Sequence, residues 1–187
     1  MMARDVRVFA FCGSLRRASF NRMVLRAAEE LAPEGMHFET GDIGAFPLYN
    51  EDVRQQGFPP AVESVREKVR VADAILFVTP EYNYSIPGVL KNAIDWVSRP
   101  PDQPFAGKPA ALMGATPSAL GTSRAQYHLR QVCVFLNMFA LNRPEVLIAG
   151  VDKKFDADGR LTDETTRKMI TDLMSALGEW VERLRIR

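Results

Sequence analysis

The residues best equipped for chemistry lie in two short stretches. The first is Gly13-Ser14-Leu15-Arg16-Arg17-Ala18-Ser19-Phe20-Asn21. It gathers three hydroxyl or amide side chains (Ser14, Ser19, Asn21) and two guanidinium groups. Small polar donors with arginine suit a phosphate, whose oxygens accept short charge-assisted hydrogen bonds. The second is Pro80-Glu81-Tyr82-Asn83-Tyr84-Ser85, two aromatics and several polar groups beside a proline, a poor composition for a core. A flat heteroaromatic ring needs a flat apolar neighbour and a few fixed donors for its polar edge. Tyr82 and Tyr84 offer the first, and the backbone N–H groups of Asn83 to Ser85 offer the second.

Each stretch has a plainer reading. Ser19 also reads as a simple helix N-cap, with Arg16 and Arg17 in solvent. Residues 80–85 also read as a rigid turn ahead of a helix. The first loop carries neither G-x-x-x-x-G-K-[ST] nor G-x-G-x-x-G, which argues against a P-loop NTPase and a Rossmann dinucleotide site. A phosphate held by side-chain hydroxyls instead of glycines points toward a monophosphate ligand, with FMN the obvious candidate.

The elements that position these stretches follow from periodicity. An apolar run, Val6–Phe11, reads as a buried strand leading into the first loop. Phe20, Met23, Val24, Ala27, Ala28 and Leu31 recur at helical spacing, so a helix spans Ser19–Ala32. The loop is therefore a strand-to-helix turn, where unpaired N–H groups and the helix dipole favour an anion. A strand at Met36–Thr40 precedes a long irregular segment, Asp42 to Pro60, of a length that is often functional. Its Phe46, Tyr49 and Phe58 either line a pocket or pin the segment to the core; Phe46 reads as a pin. A helix at Ala61–Val71 leads to Ala74–Val78, a continuous apolar run typical of a parallel strand covered on both faces. A third helix starts near Pro87, where proline suits the first turn.

Further along, a strand at Pro109–Gly114 ends in the small-residue loop Ala115–Ser123. The helix after it, Arg124–Met138, is apolar on more than one side, which predicts burial and, in a chain this small, a subunit interface. A strand at Glu145–Ala149 and a turn at Asp156-Ala157-Asp158-Gly159 lead to a last helix facing inward through Met169, Leu173, Met174, Leu177, Trp180, Val181 and Leu184. Strand and helix thus alternate five times, which predicts a single α/β domain over residues 1–187, a parallel sheet with helices on both faces. Ligands of such sheets sit beyond the carboxyl ends of the strands. The loops after the first, third and fourth strands would meet there.

Composition narrows the function. The net charge of +1 gives no electrostatic reason to expect a nucleic acid or a membrane surface as partner. No apolar run approaches the ~20 residues of a membrane span. The N-terminus enters the first strand with no secretory pattern. Cys12 and Cys133 form no metal or disulfide pattern, which with the N-terminus suggests the cytoplasm. His37 and His128 have no partner set for catalysis or metal binding and read as structural, and Cys12 reads as a small strand-end residue.

Gly13-Ser14-Leu15-Arg16…Ser19-Phe20-Asn21, taken with Pro80-Glu81-Tyr82-Asn83-Tyr84-Ser85-Ile86-Pro87-Gly88…Lys91-Asn92-Ala93-Ile94-Asp95-Trp96, resembles the NADPH-dependent FMN reductase family, and within it the bacterial quinone and chromate reductase branch. The resemblance extends over nearly the whole chain, including Asp42-Ile43-Gly44-Ala45…Pro47-Leu48-Tyr49-Asn50 and Gln126-Tyr127-His128-Leu129-Arg130-Gln131. It implies a flavodoxin-like three-layer sandwich with a five-stranded parallel sheet of order 2-1-3-4-5. It implies that Ser14, Arg16, Ser19 and Asn21 hold the FMN phosphate, that Glu81, Tyr82, Asn83, Tyr84 and Ser85 border the isoalloxazine ring, and that Ser118 lies near the flavin. It implies a homodimer or homotetramer, with Arg124, Tyr127 and Glu145 in an interface network. The activity implied is NADPH or NADH oxidation through FMN, with a quinone-like small molecule as acceptor and chromate as a promiscuous one. No side chain need act as nucleophile or obligatory acid. Azo or nitro reduction, reduction of free FMN, or a flavodoxin-type carrier are the alternatives. Arg16, Arg17 and Arg99 are the residues open to a 2′-phosphate. The chain departs from the family pattern in Thr116-Pro117-Ser118-Ala119-Leu120, where more glycine is expected.

Overall fold

In chain order the elements are β1 (Val6–Cys12), α1 (Phe20–Leu31), β2 (Met36–Thr40), α2 (Glu51–Gln55), α3 (Pro60–Val71), β3 (Ala74–Val78), α4 (Gly88–Val97), β4 (Pro109–Ala115), α5 (Ser123–Phe135), β5 (Phe139–Ala140), β6 (Val146–Ile148) and α6 (Glu164–Arg185). They come from a computed structural model that describes residues 5–185; residues 1–4, on which the N-terminal reading rests, and the last two lie outside the described residues. The sheet is parallel, ordered β2-β1-β3-β4-β5, with β6 also pairing with β4. This is the flavodoxin-like order implied by the resemblance.

Alternate residues of the central strands feed two cores. Val8, Ala10, Leu76, Val78 and Met113 pack under α1 and α6, while Phe9, Phe11, Ile75, Phe77 and Leu112 pack under α3, α4 and α5. Every residue of β3 and β4 is buried, as a strand covered on both faces requires.

The fifth strand position departs from the sequence reading. One strand is expected at Glu145–Ala149; the sheet instead has β5 opposite Pro109 and Ala110, and β6 opposite Met113 to Ala115. Pro144 has no amide to donate, which interrupts the pairing just before β6. Helix α5 also ends three residues before the expected Met138. Asn137 adopts φ +54, the left-handed backbone that commonly terminates a helix at asparagine. Within the single chain one side of α5, the helix from which the sequence predicts a subunit interface, is open: Val134 and Phe135 are 80% and 83% exposed.

The segment from Asp42 to Pro60 is partly ordered by capping. The Asp42 side chain accepts from the Gly44 N–H (3.0 Å) to start a 3₁₀ turn, and Asn50 accepts from the Asp52 N–H (2.8 Å) to start α2. Between them the chain is pinned to α4. The Pro47 carbonyl accepts from Trp96 Nε1 (2.8 Å) and Asn92 Nδ2 (2.9 Å), and the Tyr49 N–H donates to Asn92 Oδ1 (2.8 Å). The Tyr49 ring meets Trp96 edge-on at 4.9 Å. Phe46 is buried in the core, and Phe58 lies under the Arg66 guanidinium at 3.9 Å. These aromatics pin the segment.

Helix α6 starts on Asp163, whose carboxylate accepts from Lys154 Nζ (2.7 Å), the Thr166 hydroxyl (2.5 Å) and the Thr166 N–H (2.9 Å). These donors, Lys154 first, lower its pKa to about 2. In the unfolded chain the group titrates near 3.9. A carboxyl depressed in the folded state stabilises above the unfolded pKa, and that stabilisation is lost as pH falls through the folded one. Chemical denaturation is therefore expected to show stability falling between about pH 4 and pH 2, with a shallower fall in Asp163→Asn. Equal acid limbs for the two proteins would contradict this role.

Candidate active site

The carboxyl ends of β1, β3 and β4 are tied to one another. The Gly13 N–H donates to the Val78 carbonyl (2.8 Å), and the Thr79 N–H donates to the Met113 carbonyl (3.0 Å). The chains pass so closely that a Cβ on Gly114 would stand 2.2 Å from the Thr79 carbonyl oxygen and from the Thr122 hydroxyl. A Cβ on Gly13 would stand 2.8 Å from the Thr79 hydroxyl. Glycine is required at both positions because there is no room for a side chain. The three loops that the sequence singles out therefore share one edge.

In the first loop Ser14 and Ser19 are each 3% exposed. Ser14 Oγ accepts from the Arg16 N–H at a long 3.4 Å. Ser19 sits at the N-cap of α1 with extended backbone, but its hydroxyl makes no capping hydrogen bond. The simple N-cap reading therefore fails, because this hydroxyl is not spent on the helix. The N–H groups of Phe20 and Asn21 open α1 and have no acceptor within it. Arg16 and Arg17 are exposed and, among the described residues, form no ion pair. Asn21 has another task. Its Nδ2 donates to the Ala115 carbonyl (2.9 Å) and its Oδ1 accepts from the Ala115 N–H (3.0 Å). It is buried and clamps the start of α1 to the end of β4, so it holds the loop in place.

In the second loop Tyr82 and Ser85 exchange two backbone hydrogen bonds, 3.1 and 3.0 Å. The residues between them, Asn83 and Tyr84, have φ of +49° and +66°. This is the two-residue hairpin with both central residues left-handed. Asparagine tolerates that backbone; for a bulky tyrosine it is an outlier of the kind that clusters at functional sites, costing of order 1 kcal/mol. The turn holds the Tyr82 and Tyr84 rings 47% and 67% exposed beyond β3. Of the amides expected to face a ring, that of Ser85 is spent within the turn, which leaves those of Asn83 and Tyr84.

The structure gives Glu81 a structural partner that the sequence did not signal. Its Oε2 accepts from the backbone N–H groups of Arg124 (3.0 Å) and Ala125 (3.3 Å), and its Oε1 accepts from the Arg124 guanidinium (2.7 Å). Thr122, at the N-cap of α5, makes no side-chain cap, so Glu81 supplies it from 43 residues away. The same guanidinium lies 3.4 Å over the Tyr84 ring. Ser85 Oγ is 2.9 Å from His128 Nδ1, a second tie between the turn and α5. Arg124, read as an interface residue, thus has partners within its own chain. Tyr127 is 53% exposed and Glu145 half-buried. Ser118 is exposed in the third loop, where its N–H donates to Thr116 Oγ1 (3.2 Å).

Burial pushes the Cys12 thiol up, and the Cys133 thiol up to about 11. His37 is exposed and 3.8 Å from Asp5. Among the described residues no group of three or more His, Cys, Asp or Glu is placed to hold a metal ion. What the edge offers is an unspent serine hydroxyl, helix N-terminal amides, arginine and a pair of exposed aromatic rings. That set fits a flavin mononucleotide, with phosphate over the first loop and ring beside the second.

The division of labour between Ser19 and Asn21 is measurable. Asn21→Ala leaves the buried Ala115 N–H and carbonyl without partners and is expected to cost about 2 kcal/mol in urea denaturation. Ser19→Ala removes a hydroxyl that has no hydrogen-bond partner among the described residues and is expected to leave stability within about 0.5 kcal/mol of the parent. A large loss from Ser19→Ala, or none from Asn21→Ala, would contradict the assignment.

Comparison with known proteins agrees with this geometry. The family model for NADPH-dependent FMN reductase matches residues 6–153. An NAD(P)H-dependent FMN reductase from Pseudomonas aeruginosa is 57% identical over 184 residues, 98% of this chain and all of that protein. A quinone reductase from Escherichia coli K12 is 44% identical over 188 residues, 99% of this chain and all of the relative. Among solved structures, the flavoenzyme NAD(P)H:(acceptor) oxidoreductase FerB from Paracoccus denitrificans superposes with TM-score 0.88 at 35% identity, covering 95% of this chain and 98% of its own. The chain belongs to the NADPH-dependent FMN reductase family, with FMN and NAD(P)H as the cofactors that membership carries.

Proposed function

We propose that the protein oxidises NADPH or NADH and passes both electrons to a quinone-like small molecule, with the two substrates occupying one place in turn. The observation that carries this is the pairing, on one sheet edge, of an unspent phosphate-binding hydroxyl at Ser19 with a left-handed turn that presents Tyr82 and Tyr84. FMN, when bound, accepts hydride from the nicotinamide and returns two electrons to the second substrate, so the protein supplies position and electrostatics. Ser14, Ser19, Arg16 and the first amides of α1 bind the phosphate. Tyr82 and Tyr84 form the apolar wall beside the ring, and the Asn83 and Tyr84 N–H groups are donors for its polar edge. Glu81 acts through Arg124, which stacks on Tyr84 and holds its ring. Ser118 and the rest of 116–120 border the other side of the bed.

The relatives named quinone reductase, 2-hydroxy-1,4-benzoquinone reductase and NAD(P)H:quinone oxidoreductase support a quinone as acceptor. Chromate reduction would follow from the same exposed bed. The exposed Val134, Phe135 and Tyr127 on α5 support a homodimer or homotetramer, with Arg124, Tyr127 and Glu145 at a contact between copies. Two free cysteines fit the reducing cytoplasm.

Initial rates measured against NADPH at several fixed benzoquinone concentrations are expected to give parallel double-reciprocal lines. Converging lines would show both substrates bound together and contradict the shared place. No turnover at all would favour a flavodoxin-type carrier.

A further inference from the structure

A second cavity of about 330 Å³ opens beside the first loop, between α1 and the end of β2. None of Ser14, Ser19, Tyr82, Tyr84 or Ser118 lines it. Its wall carries Arg17, Arg22 and Arg26, and among the described residues none of the three forms an ion pair. Three arginines against the two carboxylates that share the lining leave the concavity with one net positive charge, and Arg26 also borders a neighbouring cavity beside Gly159. Arg22 Nε donates to the Ser14 carbonyl (3.4 Å), leaving its two terminal nitrogens for a ligand. Against the arginines stand two carboxylates, Glu29 and Asp42. Asp42 Oδ1 is engaged by the Gly44 N–H, which leaves Oδ2 as an acceptor. Leu15, 49% exposed at the rim, offers an apolar surface.

Guanidiniums for a phosphate, carboxylates for sugar hydroxyls and an apolar rim for a base describe a phosphorylated nucleoside. We infer that this cavity takes the adenosine 2′-phosphate end of NADPH and makes Arg17, Arg22 and Arg26 the residues that discriminate NADPH from NADH. The inference rests on the functional reading above. The cavity lies at the β1–β2 end and the aromatic turn at the β3 end, roughly 10 Å apart by inter-strand spacing, a separation one dinucleotide bridges. Of the other residues open to this role, Arg16 is assigned to the FMN phosphate above and Arg99 is occupied: its Nε donates to the Asp95 carbonyl (2.9 Å) and its guanidinium lies 5.2 Å from the Tyr49 ring.

The test uses the FMN-loaded protein and two probes, 2′,5′-ADP and 5′-ADP, titrated calorimetrically. The parent is expected to bind 2′,5′-ADP at least tenfold more tightly than 5′-ADP. Arg26→Gln and Arg17→Gln are each expected to lose about tenfold for 2′,5′-ADP and nothing for 5′-ADP, with FMN content unchanged. In turnover the same variants raise KM for NADPH and leave KM for NADH alone. Equal affinity of the parent for the two probes, or variants that bind 2′,5′-ADP as the parent does, would overturn the site. A parent that binds the probes as expected yet oxidises neither nucleotide would instead sink the functional reading, because the titration needs no catalysis.

Discussion

The site depends on the Asn21 clamp. One primary amide satisfies both the N–H and the carbonyl of Ala115, so the first turn of α1 and the last residue of β4 are held at fixed separation. Beta-strand ends otherwise fray, and loops that leave them wander. With Asn21 in place, the orphan amides of α1 and the Ser19 hydroxyl point from a rigid base. Glycine at positions 13 and 114 is the complement of this clamp: the strand ends approach so closely that only hydrogen fits between them. The result is close-packed backbone with donors left over, which the proposed phosphate site uses without a glycine-rich loop.

The aromatic turn is stabilised from outside. Two consecutive left-handed residues, one of them tyrosine, carry backbone strain that the turn cannot offset alone. Arg124 stacks on that tyrosine and Glu81 grips Arg124 while capping α5. His128 reaches Ser85 from the same helix. Helix α5 therefore serves as a splint for the turn, and its N-terminal charge is balanced by the one carboxylate in the second motif.

The fold was legible because its signals are local. The apolar run Ala74–Val78 and the helical spacing of Phe20 to Leu31 each report burial within one element. Which residues bind and which hold the binders was less legible. Asn21 and Glu81 sit inside motifs rich in donors and acceptors, yet their partners, Ala115 and Arg124, lie 94 and 43 residues away. No spacing rule reaches that far. The short β5 and the early end of α5 were missed because asparagine at φ +54 is a tertiary outcome, not a periodic one. The two caps at Asp42 and Asn50, by contrast, are local: each is an Asx residue ahead of a short turn.

The central claim is that one sheet edge binds FMN and presents it to a reduced nicotinamide. The most direct measurement is the absorption spectrum of the purified protein, taken anaerobically before and after one equivalent of NADPH. The account predicts a flavin spectrum that bleaches on addition and returns when benzoquinone is added. A protein that is colourless and does not take up added FMN, or a bound flavin that stays oxidised in NADPH, would contradict it.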